Sequence, residues 1–349
     1  MRPRGFRLGV FAAAATYVGT VVGAGFASGQ EVLQFFGLLG PSGPLAILLA
    51  VAGFLVFGFA VMEIGRRLKA DSHLPVMREA SGRYISPILD FVTTFFLFGA
   101  FSAMLAGAGS ALAQEFQVSW LVGTGLMALL SLVTVLLGLR GIVTAVSAIV
   151  PLLIVGVMAV SIGVLRLKGL TLATPPTGWA PLVGSWPLSG ITYVSYNLIM
   201  ASPILAALGT TLNDRREVFA SALMGSFGLG LALLLVYLAI VSSFPEVLVH
   251  EVPLARLASE IHHLGGRLYA LVFLAEVYTT AVANLYGFVA RLSSPGTPGF
   301  AGLAVATVLV SAWASSAGFS NLVKTIYPLV GWTGSLFLVT LMWYVARRL

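Results

Sequence analysis

The sequence predicts an all-α integral membrane protein of about ten transmembrane helices, in a single domain spanning residues 1–349. Its composition is 58% hydrophobic and 9% charged, and its mean hydropathy is +1.00. Soluble domains carry roughly a quarter charged residues. The apolar runs are also continuous over about 20 residues, the length of a membrane helix, whereas membrane strands alternate in polarity. The bilayer is therefore the expected environment of most of this chain.

Ten candidate spans follow from these apolar runs, and we number them span 1 to span 10. They cover residues 8–36, 43–65, 86–114, 119–139, 142–165, 185–209, 217–243, 267–290, 299–317 and 319–346. The connections are short. The one at 244–266 contains an amphipathic segment, PLARLASEIHHL, which we predict to be a short surface helix or a lid.

Basic residues are distributed unevenly between the two sides of this topology. With the N-terminus inside, 14 of the 19 Lys and Arg residues lie in cytoplasmic segments and 4 lie outside. Such a bias is the positive-inside signal, and it predicts a bacterial cell membrane with both termini cytoplasmic. The net charge of +7 then reflects topology and anionic lipid, so no nucleic-acid partner is expected.

An alternative interpretation of the start of the chain is a signal peptide, because basic residues precede an apolar run. That run continues through Phe36 without a cleavage site, which favours a first membrane span.

Several kinds of site are not expected in this chain. There is no Cys, and His262 and His263 are neighbours that point about 100° apart on a helix. No Ser-His-Asp set, His-rich cluster or channel filter is recognisable, so neither an enzyme nor a channel is predicted. No cofactor is expected apart from a bound sodium ion.

The two halves of the sequence are related by a weak repeat. Thr192-Tyr193-Val194-Ser195 in span 6 follows Thr16-Tyr17-Val18-Gly19 in span 1 by 176 positions, and Pro328 follows Pro151 by 177. Both offsets are about half of the chain. Five spans per half place the second half in the opposite orientation, which predicts an inverted repeat of residues 8–165 and 185–347. Such repeats are typical of secondary transporters.

Span 1 contains four glycines within eleven residues, from Gly19 to Gly29, and it continues into the polar pair Gln30-Glu31. Glycine disfavours a helix, and polar backbone is tolerated at membrane depth only inside protein or beside a watery cavity. We therefore predict two half-helices with an unwound joint near residues 22–26. The alternative is a straight helix whose glycines allow close packing.

Span 6 is predicted to break in the corresponding place, over Ser195–Pro203. Pro203 has no backbone donor, which frees a carbonyl one turn earlier, and Asn197 and Ser202 are polar at mid-depth. A simple proline kink is the alternative.

The motif GAGFASGQE after a TYVG-type helix resembles the YkvI-type family of bacterial membrane proteins. That family is similar to the amino acid–polyamine–organocation superfamily, which has a LeuT-type repeat of five plus five helices. The resemblance implies a solute site between broken spans 1 and 6, flanked by spans 3 and 8.

The resemblance also implies cation-coupled symport of a small polar solute, with an amino acid or a related zwitterion favoured. The solute carboxylate is expected at the free amides of Gly23–Gly25, and its amino group near Ser195 and Asn197. The expected solute-binding residues are Val22, Gly23, Ala24, Gly25, Phe26, Ser195, Asn197 and Ser202. The alternative function is a receptor with a transporter fold, similar to spore germinant-receptor subunits, which binds solute without moving it.

A cation site is implied between spans 1 and 8. Its ligands would be the carbonyls of Gly19, Val22 and Glu276 and the hydroxyls of Thr279 and Thr280. Positions i, i+3 and i+4 share one helical face, and oxygen ligands suit sodium. Threonines that bond their own helix are the alternative. Glu276 departs from the usual small residue, so a proton carried by this acid remains an alternative to sodium.

Two further charges, Glu31 and Lys324, fall within spans 1 and 10. Unpaired charges in a membrane are expensive, which predicts that these two pair and close an outer gate. The alternative is that Lys324 reaches Glu276.

Overall fold

We describe a computed structural model of the chain over residues 8–70, 73–137, 142–294 and 296–348. The described residues are mostly helical, and the longest non-helical segment among them covers residues 169–185. Arg2, Arg4, Arg7 and Arg140, which contribute to the predicted charge bias, lie outside them. The first residues of the alternative signal peptide also lie outside the described residues.

Thirteen α-helices follow one another along the described chain. They are α1 (Val10–Val21), α2 (Ala24–Ser28), α3 (Gln30–Phe35), α4 (Gly43–Leu68), α5 (His73–Phe116), α6 (Trp120–Leu137), α7 (Ile142–Lys168), α8 (Trp186–Thr210), α9 (Arg215–Val241), α10 (Pro253–Ile261), α11 (Gly265–Leu292), α12 (Pro298–Ala314) and α13 (Phe319–Arg348). Among the described residues, nine helices are long and apolar enough to cross a membrane. The chain is therefore a multi-pass membrane protein.

The first span is divided into α1, α2 and α3. Helix α1 ends because Val22 and Gly23 adopt extended conformations, with ψ angles of 97° and −171°. A second interruption occurs at Gly29, whose φ of 86° is a left-handed conformation that favours glycine. The first interruption falls within the predicted stretch at residues 22–26.

Span 6 differs from the prediction, because α8 is one continuous helix through Pro203. Proline at this position cannot donate to the carbonyl of Ile199. The hydroxyl of Ser202 donates to that carbonyl instead, at 2.8 Å. The predicted break over Ser195–Pro203 is therefore wrong for this structure.

Two of the connections between predicted spans contain helical structure. Helix α5 begins at His73, ahead of span 3, and turns sharply at Gly82, where φ is 70°. The amphipathic segment forms α10, as expected from its pattern. Its role as a lid stays a prediction.

Ion pairs and hydrogen bonds of basic residues mark the two ends of the helix bundle. Arg291 bonds Asp90 at 2.6 Å, Arg348 bonds Glu79 at 2.7 Å, and Arg67 donates to the carbonyl of Arg348 at 3.2 Å. We call this side of the bundle the basic end. At the opposite end, Lys168 pairs with Glu260 at 2.8 Å.

Helices α5, α8, α11 and α13 surround the interruption in the first span. Helix α2 contacts α11 and α10, and α1 contacts α8 and α9. The broken helix is therefore enclosed by protein at the depth where its backbone lacks helical hydrogen bonds, which is the condition for tolerating such backbone in a membrane.

Candidate solute and cation site

A cavity of about 230 Å³ lies at the interruption between α1 and α2. It is lined by Gly19, Thr20, Val21, Val22, Gly23, Ala24, Gly25, Glu31, Phe96, Ala100, Met104, Tyr196, Asn197, Met200, Ile204, Glu276, Thr279, Thr280, Ala283, Asn284 and Tyr327. The lining residues thus come from five parts of the chain: the interrupted first span and helices α5, α8, α11 and α13.

Backbone carbonyls form one part of this wall. The amide of Val22 bonds the carbonyl of Val18 at 2.9 Å, and the next helical bond runs from Ala27 to the carbonyl of Gly23 at 2.9 Å. The helix end leaves the carbonyls of residues 19–22 without a partner inside the helix. Carbonyls of this kind are ligands for a hard cation.

Glu276 faces these carbonyls from α11 and is only 4% exposed. The hydroxyl of Thr279 donates to its backbone carbonyl at 2.9 Å, and the hydroxyl of Thr280 donates to its Oε1 at 3.3 Å. Its Oε2 is buried without a hydrogen-bond partner among the described residues. The cavity therefore contains an acidic oxygen that is available to a bound group.

All five residues expected to bind the cation line this cavity, namely Gly19, Val22, Glu276, Thr279 and Thr280. Thr279 also bonds its own helix, which is the alternative considered for it. Coordination of a cation by this set stays a prediction.

Glu31 lies in the cavity and not at an outer gate. It is 5% exposed, and the hydroxyl of Tyr196 donates to its carboxylate. The turn at Gly29 directs α3 back towards the break, so that the carboxylate rests against Gly25. A Cβ on Gly25 would overlap this carboxylate, so glycine makes the room for it.

Three rings stand together beside Glu31, and we call them the aromatic wall: Phe96, Tyr196 and Tyr327. The ring centroids of Tyr196 and Tyr327 are 5.1 Å apart, and those of Phe96 and Tyr327 are 5.4 Å apart. They come from α5, α8 and α13. The wall gives the cavity apolar faces that carry partial negative charge.

Lys324 lies apart from both acids, so the predicted Glu31–Lys324 gate is wrong for this structure. Its ammonium group is 5.5 Å from the ring centroid of Trp179, in a separate pocket with Gln34. The position is about one helical turn nearer the opposite end than Tyr327. The alternative contact with Glu276 is likewise not formed among the described residues.

Three of the expected solute-binding residues lie off the cavity wall. Ser195 donates to the carbonyl of Ile191 at 2.8 Å, and Ser202 bonds Ile199 as described above. Phe26 is 1% exposed in the apolar core. In a continuous helix, a serine hydroxyl can donate to a backbone carbonyl of the preceding turn. Ser195 and Ser202 both do so, and neither lines the cavity.

Asn197 does line the cavity, with its amide donating to the carbonyl of Tyr193 at 3.0 Å. The expected residues Val22, Gly23, Ala24 and Gly25 line it as well.

Several wall residues were not anticipated, including Asn284 and the aromatic wall. Asn284 follows Glu276 and Thr280 at steps of four, a spacing that keeps one helical face, so the sequence did contain its signal. The aromatic rings come from three helices and have no common sequence pattern.

The cavity is closed at the opposite end. The side chain of Gln30 donates to the carbonyl of His250 at 2.8 Å, Tyr269 donates to the carbonyl of Ala27 at 2.5 Å, and the amide of Ser320 donates to Glu251 at 2.6 Å. Towards the basic end, Ile204 of α8 and Ala283 of α11 both line the cavity and are exposed. The cavity therefore communicates with the surface towards the basic end.

The fold is shared with solved transporters. MhsT in complex with L-phenylalanine superposes with a TM-score of 0.63 at 17% identity, covering 98% of this chain and 97% of that one. A Na+-coupled sialic acid symporter superposes with a TM-score of 0.62 at 15% identity, covering 97% and 78%. The expected LeuT-type fold is thereby confirmed, while the exact five-plus-five count stays a prediction.

Sequence comparison identifies the family. No protein-family model matches the chain. The uncharacterized membrane protein YkvI of Bacillus subtilis (strain 168) is 30% identical over 336 residues, covering 95% of each chain. Near-complete coverage at this identity confirms the resemblance based on the span 1 motif, and the chain belongs to the family of YkvI membrane proteins.

Proposed function

We propose that this protein is a secondary active transporter that moves a small polar solute bearing an amino group, such as an amino acid, together with a cation. The observation that carries the proposal is the central cavity at the break of the first span. It carries polar groups on a largely apolar wall, it is closed towards one end of the bundle, and it communicates with the surface towards the other. Alternating access requires such a site between two gates.

The shared fold supports the proposed class of solute. MhsT is described with L-phenylalanine, and the symporter carries sialic acid with Na+. Phenylalanine and sialic acid are both small molecules with polar groups. The cavity of this chain combines polar groups with an aromatic wall, which suits a solute with a charged or polar head and an apolar part.

Cation coupling is supported by the oxygen-rich side of the cavity. The carbonyls of residues 19–22 and the hydroxyl of Thr280 face the same space as the unpartnered Oε2 of Glu276. Sodium would bind this set as a hard cation. A proton on Glu276 is the second means of coupling, because an acid at membrane depth is a functional candidate.

The predicted orientation completes the proposal. With the basic end in the cytoplasm of a bacterial cell, both termini are cytoplasmic and the cavity communicates with the cell interior. The described conformation would then be the one that releases or accepts solute inside.

The transport experiment measures charge movement in proteoliposomes on adding pooled amino acids and amines, under a sodium gradient and separately under a proton gradient. We expect a sodium-dependent current. Thr280→Ala removes one oxygen ligand, which should lower the apparent sodium affinity by roughly tenfold. The matched control is Thr307→Ala, because Thr307 is a membrane-helix threonine that bonds its own helix at 2.7 Å, on α12 away from the cavity.

Other outcomes separate the alternatives. A current that requires only protons would assign coupling to Glu276. Binding without any current would contradict transport and favour a receptor with a transporter fold. A sodium affinity that is unchanged in Thr280→Ala would remove this residue from the cation site.

A further inference from the structure

The charges on the wall of the cavity are of one sign. Glu31 and Glu276 are its acidic residues, and the lining residues of the described chain include no Lys, Arg or His. Both carboxylates are at least nine-tenths buried. A buried charge that has no counter-charge is strongly unfavourable, so each acid needs either a bound cation or a proton when the site is filled.

Four side-chain donors of the wall are already engaged with the protein. Tyr196 donates to Glu31, Thr280 to Glu276, Asn197 to Tyr193, and Thr20 to the carbonyl of Thr16 at 2.7 Å. The acceptors remain available at Glu276 Oε2 and at the carbonyls of residues 19–22. Together with the two acids and the absence of a basic lining residue, these acceptors favour a ligand that is positively charged and rich in donors.

Glu31 occupies the place where the carboxylate of a zwitterionic solute is expected to bind. The sequence predicts that this carboxylate meets the amides of Gly23–Gly25. The carboxylate of Glu31 already rests against Gly25. A second anion there would be repelled by the first, since like charges at short distance in a low dielectric are costly.

The aromatic wall points to the same kind of ligand. Phe96, Tyr196 and Tyr327 stand beside the Glu31 carboxylate, with the hydroxyl of Tyr196 bonded to it. Ring faces attract ammonium groups, and the attraction grows when the site excludes water. A carboxylate next to ring faces is thus a site for an organic cation.

We propose that the solute is a small organic amine with a protonated ammonium group and no carboxylate. Glu31 is its counter-ion, the aromatic wall holds its nitrogen and the adjoining carbons, and Glu276 neutralises the coupling cation. This proposal rests on the proposed function in taking the cavity as the solute site, and it narrows the solute from amino compounds in general to amines.

The first test compares each amine with the amino acid that differs by a carboxylate. The probes are isobutylamine against valine, and phenethylamine against phenylalanine. Binding to the purified full-length protein is measured by calorimetry and by the shift in its thermal unfolding, in the presence of sodium. We expect each amine to bind roughly tenfold or more tightly than its amino acid.

The second test replaces the counter-ion. Glu31→Gln keeps the size of the side chain and an oxygen for Tyr196, so the fold should be retained. The affinity for the amine should fall roughly tenfold or more, while that for the amino acid stays or improves. The matched control is Glu115→Gln, since Glu115 is a partly buried acid near the opposite end, bonded to Gln114 and Ser259. This control should bind the amine as the native protein does.

The outcomes distinguish this inference from the transport proposal. Amino acids that bind as tightly as their amines, or a Glu31→Gln variant that binds the amine normally, would overturn the inference and leave transport standing. The absence of binding of every probe to a protein that unfolds cooperatively would overturn the inference and would also count against a solute bearing an amino group. Tight, Glu31-dependent amine binding without a current in proteoliposomes would support the inference and contradict transport.

Discussion

Gly25 has no side chain, and the carboxylate of Glu31 occupies the space that its Cβ would take. This single contact explains why a glycine follows the break in the first span at this position. It also connects two features that look separate in the sequence, the glycine-rich stretch and the acid six residues later.

Gly25→Ala should therefore act on binding more than on stability. The added methyl group displaces the flexible end of Glu31, while alanine favours the helix relative to glycine. We expect the affinity for a bound amine to fall roughly tenfold, because the carboxylate leaves its place beside the aromatic wall. Calorimetry measures the affinity, and thermal unfolding measures the stability.

The control for this substitution is Gly125→Ala on α6. Nothing lies within 4 Å of a Cβ built at Gly125, so the variant should bind normally and unfold at the same or a higher temperature. Normal binding by Gly25→Ala would show that Glu31 does not depend on this glycine for its position.

At the scale of elements, α4 and α8 approach each other at backbone contact. A Cβ on Gly65 would overlap the backbone of Ala206, one on Gly209 would overlap the carbonyl of Met62, and one on Gly190 would lie 2.8 Å from the carbonyl of Ala46. Small residues allow this approach in membranes, where association depends on close packing. The close packing of α4 against α8 fixes the position of α8, and therefore places Tyr196 and Asn197 beside the cavity.

Gly209→Ala should destabilise the protein by about 1–3 kcal/mol, because the atoms that it meets belong to backbone and cannot move aside. The measurement is the thermal unfolding of the purified protein in detergent. Gly302→Ala on α12 is the matched control, since a Cβ there meets nothing within 4 Å. Equal unfolding temperatures for the two variants would contradict backbone contact between α4 and α8.

The two predicted helix breaks, in span 1 and span 6, show how far the local sequence determines where a helix ends. Helix α1 ends before the extended residues Val22 and Gly23, and Gly29 takes a left-handed conformation, as glycine does readily. Pro203 gives an equally strong local signal, yet α8 continues, because the adjacent Ser202 bonds the carbonyl that the proline leaves free. The compensation depends on a side chain, which a rule about proline alone does not include.

At the scale of the whole molecule, the cavity communicates with the surface towards the basic end and is closed at the opposite end. Gln30 of α3 and Ser320 of α13 bond His250 and Glu251 in the loop before α10, and Tyr269 of α11 bonds Ala27 of α2. Opening that side requires these contacts to break together. The described conformation therefore presents the cavity to one side of the membrane.

Cysteine labelling tests this conformation directly, because the native chain contains no Cys. Ala283 lines the cavity and is exposed, whereas Gln34 near the opposite end is 2% exposed. In the absence of solute, we expect Ala283→Cys to react with a membrane-impermeant maleimide applied from the cytoplasmic side, and Gln34→Cys to stay protected from both sides.

The exposed loop residue His263 supplies the control for orientation. His263→Cys should react only from outside the cell if the basic end is cytoplasmic. Reaction of Gln34→Cys from outside, with Ala283→Cys protected, would show that the resting protein is open to the opposite side.

The sequence by itself determined the membrane environment, the approximate spans, the interruption of the first one and the polar face of Glu276 and Thr280. These depend on hydropathy, glycine content and helical spacing, which are properties of short segments. The tertiary structure decided that Glu31 joins Tyr196, 165 positions away, that three helices supply the aromatic wall, and that Lys324 lies elsewhere. The reason is physical: where a side chain points depends on the rotation and tilt of its helix and on the turn at Gly29, and these are fixed only when the helices pack.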